Sequence, residues 1–436
     1  MLTVLRMSQE QCIDDKIPLD DLDHLLEDLA VTDTARLSPT PCEISKIPPE
    51  IISEIFLLCL PFSGICFLLD VWLTRAGRCP LSITIRRLEN NNRDHDEELH
   101  PVSVAWKVIE RFARQVEFLA INLAFEELED LRFLEGWFPS LKSLFVSAQR
   151  RRRWDGTFVP LNMFKDCPTL EDATLGTYQC STAVSLPWSR LKFLSMFSLD
   201  EVECLEKLQQ APNLTRCIFY NLPNDGQLLP RVPPLTHIQS FHLIIGEHHI
   251  WLLEALTLPA LRDLTLSMRA DEVPRFHAFL SRCSCRLRSL RLTTEMHDTS
   301  LLQCFRHAAM LSLERLKVTA EGPNTCTTIY RALRDDGDFF PVLRSLEIYE
   351  WLPDASLDSE VGYDVLLLDA LYARWKSARR LRHFQLQTSR LNLKVPDASK
   401  LRTMYEQGML INVETYQGTV GDVKVRRIWT LADTEK

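Results

Sequence analysis

Residues of the types that could perform chemistry are few and widely separated along this 436-residue chain. The densest histidine group, His242, His248 and His249 with Glu247, matches no regular metal-binding frame. Cys283 and Cys285 would share one face if they lay on a strand, but nothing beside them marks a redox site. The sequence has no motif for a nucleophile elbow, a phosphate-binding loop, a dinucleotide fold or a zinc protease. We therefore predict no catalytic residue, metal ligand or cofactor, and a protein that is not an enzyme.

Charge and cysteine usage limit the partners and the compartment. The net charge of -9 argues against a dedicated nucleic-acid binder, so we expect no nucleic-acid partner. Thirteen cysteines with no pair spaced for a zinc site indicate free thiols in the cytoplasm, the nucleus or both. The one dense basic run, Arg150 to Arg153, is interpreted either as an import or anion patch or as a solvated loop.

Neither a secretory signal nor a membrane anchor is predicted. Residues 1–15 lack a long apolar region and become acidic. The uncharged run 55–69 contains Pro61 and Gly64, and it is shorter than the ~20 residues that a membrane helix needs. We expect no membrane partner.

The elements that would position a binding surface are repeated strands. Leu261, Leu264 and Leu266 have the L-x-x-L-x-L spacing in which a strand buries alternate residues. The same frame recurs ten times, at Val116-Leu119-Ile121, Leu141-Leu144-Val146, Leu170-Ala173-Leu175, Leu191-Leu194-Met196, Leu214-Cys217-Phe219, Ile238-Phe241-Leu243, Leu287-Leu290-Leu292, Leu313-Leu316-Val318, Leu343-Leu346-Ile348 and Leu381-Phe384-Leu386. Most steps are close to the length of a leucine-rich repeat. The predicted fold class is therefore α/β, a leucine-rich-repeat-like solenoid of parallel strands with connecting helices.

Several connecting elements are predicted from periodicity and breakers. Val202, Leu205 and Leu208 indicate one helix, and Pro274 opens another in which Phe276, Phe279 and Leu280 face inward. Residues 106–112 form a helix that would cap the first repeat, and Thr299 or Ser300 would cap a helix over 301–307. Further strands are expected at 82–85, 410–413 and 423–428.

The residues two, four and six places after each first frame residue would point away from the core onto a concave face. An aromatic half followed by a basic half would make a protein-binding surface, and the basic half would favour an acidic or phosphorylated target. The alternative for the aromatic residues is that the frame slips by one and buries them. The predicted partner-binding residues are Phe118, Phe145, Phe193, Phe197, Tyr220, Arg216, Arg291, Arg315 and Lys317.

Two helices are predicted before the repeats. Leucines spaced by three and four residues over 19–29 indicate an amphipathic helix that packs on the body or forms a brief coiled-coil contact. A second helix opens at Pro48-Pro49 and ends at Pro61, with apolar residues on more than one side. It is either buried on two sides within one domain or offers its second face to another protein.

The run from Ile44 to Pro61 resembles the start of an F-box, and Val71 to Ile83 resembles the segment that follows it in mushroom-type fungal F-box proteins with degenerate leucine-rich tails. The resemblance implies a short all-α F-box-like segment that binds a Skp-type adaptor and cullin complex, with the repeats selecting a protein for ubiquitylation. The positions implied to contact the adaptor are Ile47, Pro48, Glu50, Ile51, Ile55, Phe56 and Leu60.

The sequence departs from the family between Pro61 and Trp72, where the second and third F-box helices are missing through a deletion or a skipped exon. The alternative function is therefore a repeat scaffold without ligase coupling. The expected organisation is an acidic helix and linker over 1–43, an incomplete F-box-like segment over 44–75, a linker over 76–105, and a solenoid with a C-terminal cap over 106–436.

Overall fold

The computed structural model describes part of the chain, with gaps. The described residues are 2–5, 71, 73–74, 76–87, 101–124, 128, 131, 138–149, 161–176, 184–197, 201–220, 229–244, 250–294, 296, 298–320, 325–350, 363–378, 381–388, 398–417 and 424–430. The predicted helices over 19–29 and 48–60, and the basic run at Arg150, lie outside them. The chain divides into two compact units, Met1–Leu170 with Thr182–Leu186, and Glu171–Ser181 with Pro187–Lys436.

The main described elements of the first unit are four strands and one long α-helix. These are β1 (Leu2–Leu5), β2 (Leu81–Arg87), α1 (Pro101–Phe112), β3 (Val116–Ala124) and β4 (Ser143–Gln149). Strand β1 is antiparallel to β2, whereas β2, β3 and β4 are parallel in chain order. The strand expected at 82–85 is confirmed, but the prediction that 106–112 caps the repeats is wrong. Helix α1 instead connects the two parallel strands β2 and β3. A strand of the sheet therefore precedes the helix, so the helix does not end the sheet.

The second unit contains eleven described strands and seven described α-helices. The strands are β5 (Asp172–Leu175), β6 (Phe193–Phe197), β7 (Arg216–Tyr220), β8 (Ser240–Ile244), β9 (Asp263–Ser267), β10 (Ser289–Thr294), β11 (Arg315–Ala320), β12 (Ser345–Glu350), β13 (His383–Thr388), β14 (Leu410–Gln417) and β15 (Lys424–Thr430). The helices are α2 (Glu201–Gln210), α3 (Trp251–Ala255), α4 (Val273–Cys283), α5 (Asp298–Phe305), α6 (Thr325–Asp335), α7 (Tyr363–Ala378) and α8 (Ala398–Glu406).

Strands β5 to β14 pair in parallel with their neighbours in chain order. Strand β15 is antiparallel to β14, so the two terminal strands predicted over 410–428 are confirmed. Parallel strands joined by helices in a repeating order confirm the α/β, solenoid-like fold class.

The leucine-rich frame is confirmed at all eleven predicted strands. Every frame residue is buried, from Val116 at 0% exposure to Leu381 at 3%. A one-residue slip would have moved each of these side chains to the other face of its strand. The sheet therefore has an apolar inner face, and the residues between the frame positions form an outer face whose direction was correctly predicted.

The helix predictions were less accurate in detail. In α4, Phe276, Phe279 and Leu280 are buried as predicted, and Pro274 lies in the first turn. In α2, however, Val202 is 42% exposed, and Cys204 is buried beside Leu205 and Leu208. Residues three apart in a helix are rotated by about 300°, because each residue advances by about 100°. Side chains at a strict three-residue spacing therefore turn progressively away from the face that packs on the core. Helix α5 begins at Asp298, so Thr299 and Ser300 lie inside its first turn.

Contacts between successive repeats hold the helices of the second unit in place. The Arg282 guanidinium at the end of α4 donates hydrogen bonds to the carbonyl oxygens of Leu253 and Glu254 in α3, at 2.7 and 3.1 Å. Both carbonyls lie at the end of α3, where the Leu253 oxygen also accepts from the N–H of Leu256 at 3.3 Å, and a cation suits this end of a helix. None of the described helices combines the length and apolar character needed to cross a membrane.

Candidate protein-interaction surface

The outer face of the second unit is organised in rows, because parallel pairing places equivalent repeat positions side by side about 4.8 Å apart. The amino-terminal row contains Asp172, Phe193, Arg216, Ser240, Asp263, Ser289, Arg315, Ser345, His383 and Leu410. The middle row contains Thr174, Ser195, Ile218, His242, Thr265, Arg291, Lys317, Glu347, Gln385 and Asn412. Of the predicted partner-binding residues, all but Phe118 and Phe145 belong to this unit.

Phe118 and Phe145 lie on the outer face of the first unit and are half-buried. Phe118 is in register with Ser143, and Phe145 with Ala120, so the two rings are not direct cross-strand partners.

Of the two alternatives left open for the aromatic residues, burial holds for Phe193, whose exposure is 3% although it lies on the outer face. The guanidinium carbon of Arg216 on the next strand lies 4.4 Å from the centre of the Phe193 ring. This stacking contributes to covering the ring, because a guanidinium is planar and weakly hydrated. Arg216 itself is exposed, but one flat face of its guanidinium already stacks on the Phe193 ring.

Phe197 and Tyr220 form the best-defined aromatic pair of the outer face. Their rings are stacked with centres 4.1 Å apart and an interplanar angle of 6°. Both side chains are half-buried, and partial burial raises the pKa of the Tyr220 hydroxyl. Ile244 on the neighbouring strand is 39% exposed and extends this apolar area. Aromatic groups held in place in this way suit a partner contact, because little side-chain freedom is lost on binding.

The basic half of the outer face consists of Arg291, Arg315 and Lys317, and these three cations differ in their partners and exposure. Arg315 Nη2 donates to Asp263 Oδ1 at 3.0 Å. Lys317 is half-buried, with Nζ 4.1 Å from the centre of the Tyr349 ring and Glu347 beside it in register. Burial and the neighbouring charge of Arg291 lower the pKa of Lys317, while Glu347 opposes that shift. Arg291 is exposed and has no ion pair within the described part of the chain.

His242 lies between the aromatic and basic halves. Its ring nitrogens are bonded on both sides: Nε2 is 2.7 Å from Ser240 Oγ, and Nδ1 is 3.0 Å from Thr265 Oγ1. Burial lowers its pKa to about 4, and the positive charges of Arg291 and Arg216 act in the same direction. The ring is therefore neutral at neutral pH. Sequence reasoning grouped His242 with Glu247, His248 and His249, but those three lie outside the described residues.

The candidate thiol pair does not lie on a strand. Cys283 ends helix α4, Ser284 has a left-handed backbone with φ 49°, and Cys285 follows. Both thiols are buried, and the backbone N–H of Leu258 donates to Cys283 Sγ at 3.1 Å. A hydrogen bond from Cys285 lowers the pKa of Cys283 and raises that of Cys285. In the described residues, no group of three or more His, Cys, Asp or Glu side chains could hold a metal ion.

Sequence reasoning missed Asp263, Glu347 and Tyr349, which modify the basic side chains around them. The signal was present, since these residues occupy outer-face positions of the confirmed frame. The fold and this surface together define a leucine-rich-repeat-like α/β solenoid suited to protein interaction. The chain matches no protein-family model and no curated protein.

Proposed function

We propose that this protein is a non-catalytic substrate receptor of a Skp–cullin–F-box type ubiquitin ligase. The observation that carries the target-binding half is the outer face of the second unit, where the Phe197–Tyr220 stack and the cation Arg291 are presented on one ordered set of strands. Rigid aromatic and arginine side chains are the groups that dominate protein interfaces. The target would carry acidic or phosphorylated groups opposite Arg291.

The adaptor-binding half of the proposal depends on the F-box resemblance of residues 44–61. Pro48, Glu50, Ile51, Ile55 and Phe56 match the motif and lie outside the described residues. The apolar positions on more than one side of this predicted helix support the proposal, because a helix inside a single small segment needs only one apolar stripe. An adaptor would cover the second stripe. Such a ligase subunit would work in the cytoplasm or the nucleus.

The second candidate function is a protein-binding scaffold without ligase coupling. The short distance from Pro61 to Trp72 favours it, since it leaves no room for the second and third F-box helices. Both candidates use the same outer face, so only the adaptor interaction distinguishes them.

Co-purification of the full chain with a Skp-type adaptor tests the ligase function. We expect capture by the native chain, and loss of capture for Phe56→Asp, which places a charge in the apolar contact. Arg291→Gln is the matched control, because it alters the repeat surface and should leave capture unchanged. If the native chain captures no adaptor while a chain with restored F-box helices does, the scaffold function holds for this form. Failure of both chains would overturn the F-box assignment.

A further inference from the structure

A further row of side chains runs across the second unit at the amino-terminal ends of its strands, just outside the outer face. It is formed by the residue immediately before each of the strands β5 to β13, and we call it the edge row: Glu171, Lys192, Thr215, Gln239, Arg262, Arg288, Glu314, Arg344 and Arg382.

Backbone hydrogen bonds make the later part of the edge row continuous. The N–H of Arg288 donates to the carbonyl of Arg262 at 2.7 Å, and the N–H of Glu314 donates to that of Arg288 at 2.8 Å. The series continues with the N–H of Arg344, which donates to the carbonyl of Glu314, and the N–H of Arg382, which donates to the carbonyl of Arg344, both at 2.8 Å. Neighbouring positions are therefore one strand spacing apart, about 4.8 Å.

The early members of this repeat position neutralise one another. Lys192 Nζ lies 2.7 Å from Glu171 Oε1, and at the equivalent positions of the first unit Lys142 Nζ lies 2.8 Å from Glu117 Oε2. These pairs show that side chains at adjacent edge positions reach each other. Alternating charge is the arrangement that folding stability alone favours, since like charges on neighbouring strands destabilise a sheet.

The later members break that pattern. Arg262, Arg288, Arg344 and Arg382 are all exposed, and the single acidic residue among them is Glu314. Its Oε2 lies 3.9 Å from Arg344 Nη1, at the limit of an ion pair. Within the described residues, Arg262, Arg288 and Arg382 make no side-chain hydrogen bond or ion pair. Four arginines and one glutamate give this stretch a charge of +3 on a chain whose net charge is -9.

We propose that the edge row from Arg262 to Arg382 binds an aspartate- and glutamate-rich segment of another protein, which lies across the strand ends. Arginine pairs with carboxylate in two-point geometry, and Arg262, Arg288 and Arg382 are exposed with no side-chain partner among the described residues. The row covers four strand spacings, about 19 Å, which is the length of roughly six residues of extended chain.

Nucleic acid fits this row less well than an acidic protein segment. The edge row contains no aromatic side chain on which a base could stack. The net charge of -9 on the whole chain would also disfavour a long polyanion that extends beyond the row itself. This site is separate from Arg291 and Lys317, and it depends on neither the ligase function nor the outer-face target.

Binding of a fluorescein-labelled oligo-glutamate peptide to the full chain at low ionic strength tests the proposal. We expect the double variant Arg262→Gln with Arg288→Gln to weaken binding by about tenfold or more. The matched control, Lys142→Gln with Lys192→Gln, removes the same charge from the same repeat position and should change affinity by less than about twofold. Arg291→Gln, which alters only the outer face, should also leave most of the binding intact.

Three results would overturn the proposal. Equal losses in the arginine and lysine double variants would show a general charge effect, and absence of peptide binding to the native chain would remove the site. Tighter binding of a single-stranded oligonucleotide of equal charge would assign the row to nucleic acid. The melting temperature provides a structural check. It should stay the same or rise in the arginine variant, because two like charges have been removed, whereas a structural role would lower it.

Discussion

The guanidinium of Arg315 reaches past strand β10 to the carboxylate of Asp263, two strands away, with Nη2 and Oδ1 3.0 Å apart. Ser289 lies between them in register, and its small side chain leaves the space for this contact. The pair offsets one of the three cations that the sequence assigns to the basic half. Arg291 is consequently the cation of that half with the greatest capacity to bind a new anion.

This relationship separates the effects of two arginines on binding of an acidic peptide to the outer face. In a chain that already carries Arg262→Gln and Arg288→Gln in the edge row, we expect Arg291→Gln to weaken the remaining binding several-fold at low salt, and Arg315→Gln to weaken it less, because the charge of Arg315 is already offset. Asp263→Asn should strengthen binding, since it releases the Arg315 guanidinium. Titration by fluorescence anisotropy at two salt concentrations measures all three. A loss of affinity in Asp263→Asn would contradict this account.

Phe193 and Phe197 should respond differently to truncation, although they lie four residues apart on the same face of β6. Phe193→Ala removes a ring that is 3% exposed and should lower the free energy of unfolding by ~3 kcal/mol. Phe197→Ala removes a half-buried ring from the stack with Tyr220 and should cost ~1 kcal/mol. Chemical denaturation of both variants gives the comparison. Equal losses would contradict a greater contribution of the buried Phe193 ring to stability.

His242 should make the free energy of unfolding depend on pH. Its pKa is about 4 in the folded protein and near 6.5 when unfolded, so the unfolded chain takes up the proton first as pH falls. The contribution of the neutral ring is therefore complete above pH ~6.5 and is lost between that pH and about 4, by up to ~3 kcal/mol. His242→Gln should flatten this part of the stability profile relative to the native chain. Parallel profiles for the two proteins would contradict the prediction.

A charge at an inner frame position should disrupt the second unit. Leu264 is 1% exposed, and Leu264→Asp would bury an unpaired carboxylate at a cost of several kcal/mol, on the order expected for such groups. Ser267→Asp is the matched control, because it places the same side chain on the outer face of the same strand. Thermal melts should show a large loss for the first variant and little change for the second. Similar melts would show that the frame is wrong.

The frame was predictable because its signal is repeated. Three apolar residues at fixed spacing, found eleven times, determine which side chains of each strand face inward. Neighbours across the sheet were harder to predict, since the frame gives the direction of Phe193 but not the position of Arg216 over its ring. The Arg315–Asp263 pair required the register of three strands at once.

The end of α4 shows another limit of sequence reasoning. Pro274 marks where the helix starts, but Ser284 occupies the left-handed position that is commonly glycine at a helix end. Without that signal, the sequence does not show that Cys283 is the last residue of the helix. The charge pattern of the edge row was visible in the sequence, but only the pairing of the strands shows that its arginines are neighbours.

The chain-order pairing of strands β5 to β14 has a consequence for synthesis on the ribosome. Successive register partners are separated by as few as 21 residues, from Asp172 to Phe193, and by at most 38, from Ser345 to His383. Each newly emerged strand thus finds its partner in the segment translated just before it, and loop closure over such distances is inexpensive in entropy. Growth of the sheet can keep pace with elongation, which limits the time that an unpaired strand edge is exposed to other nascent chains.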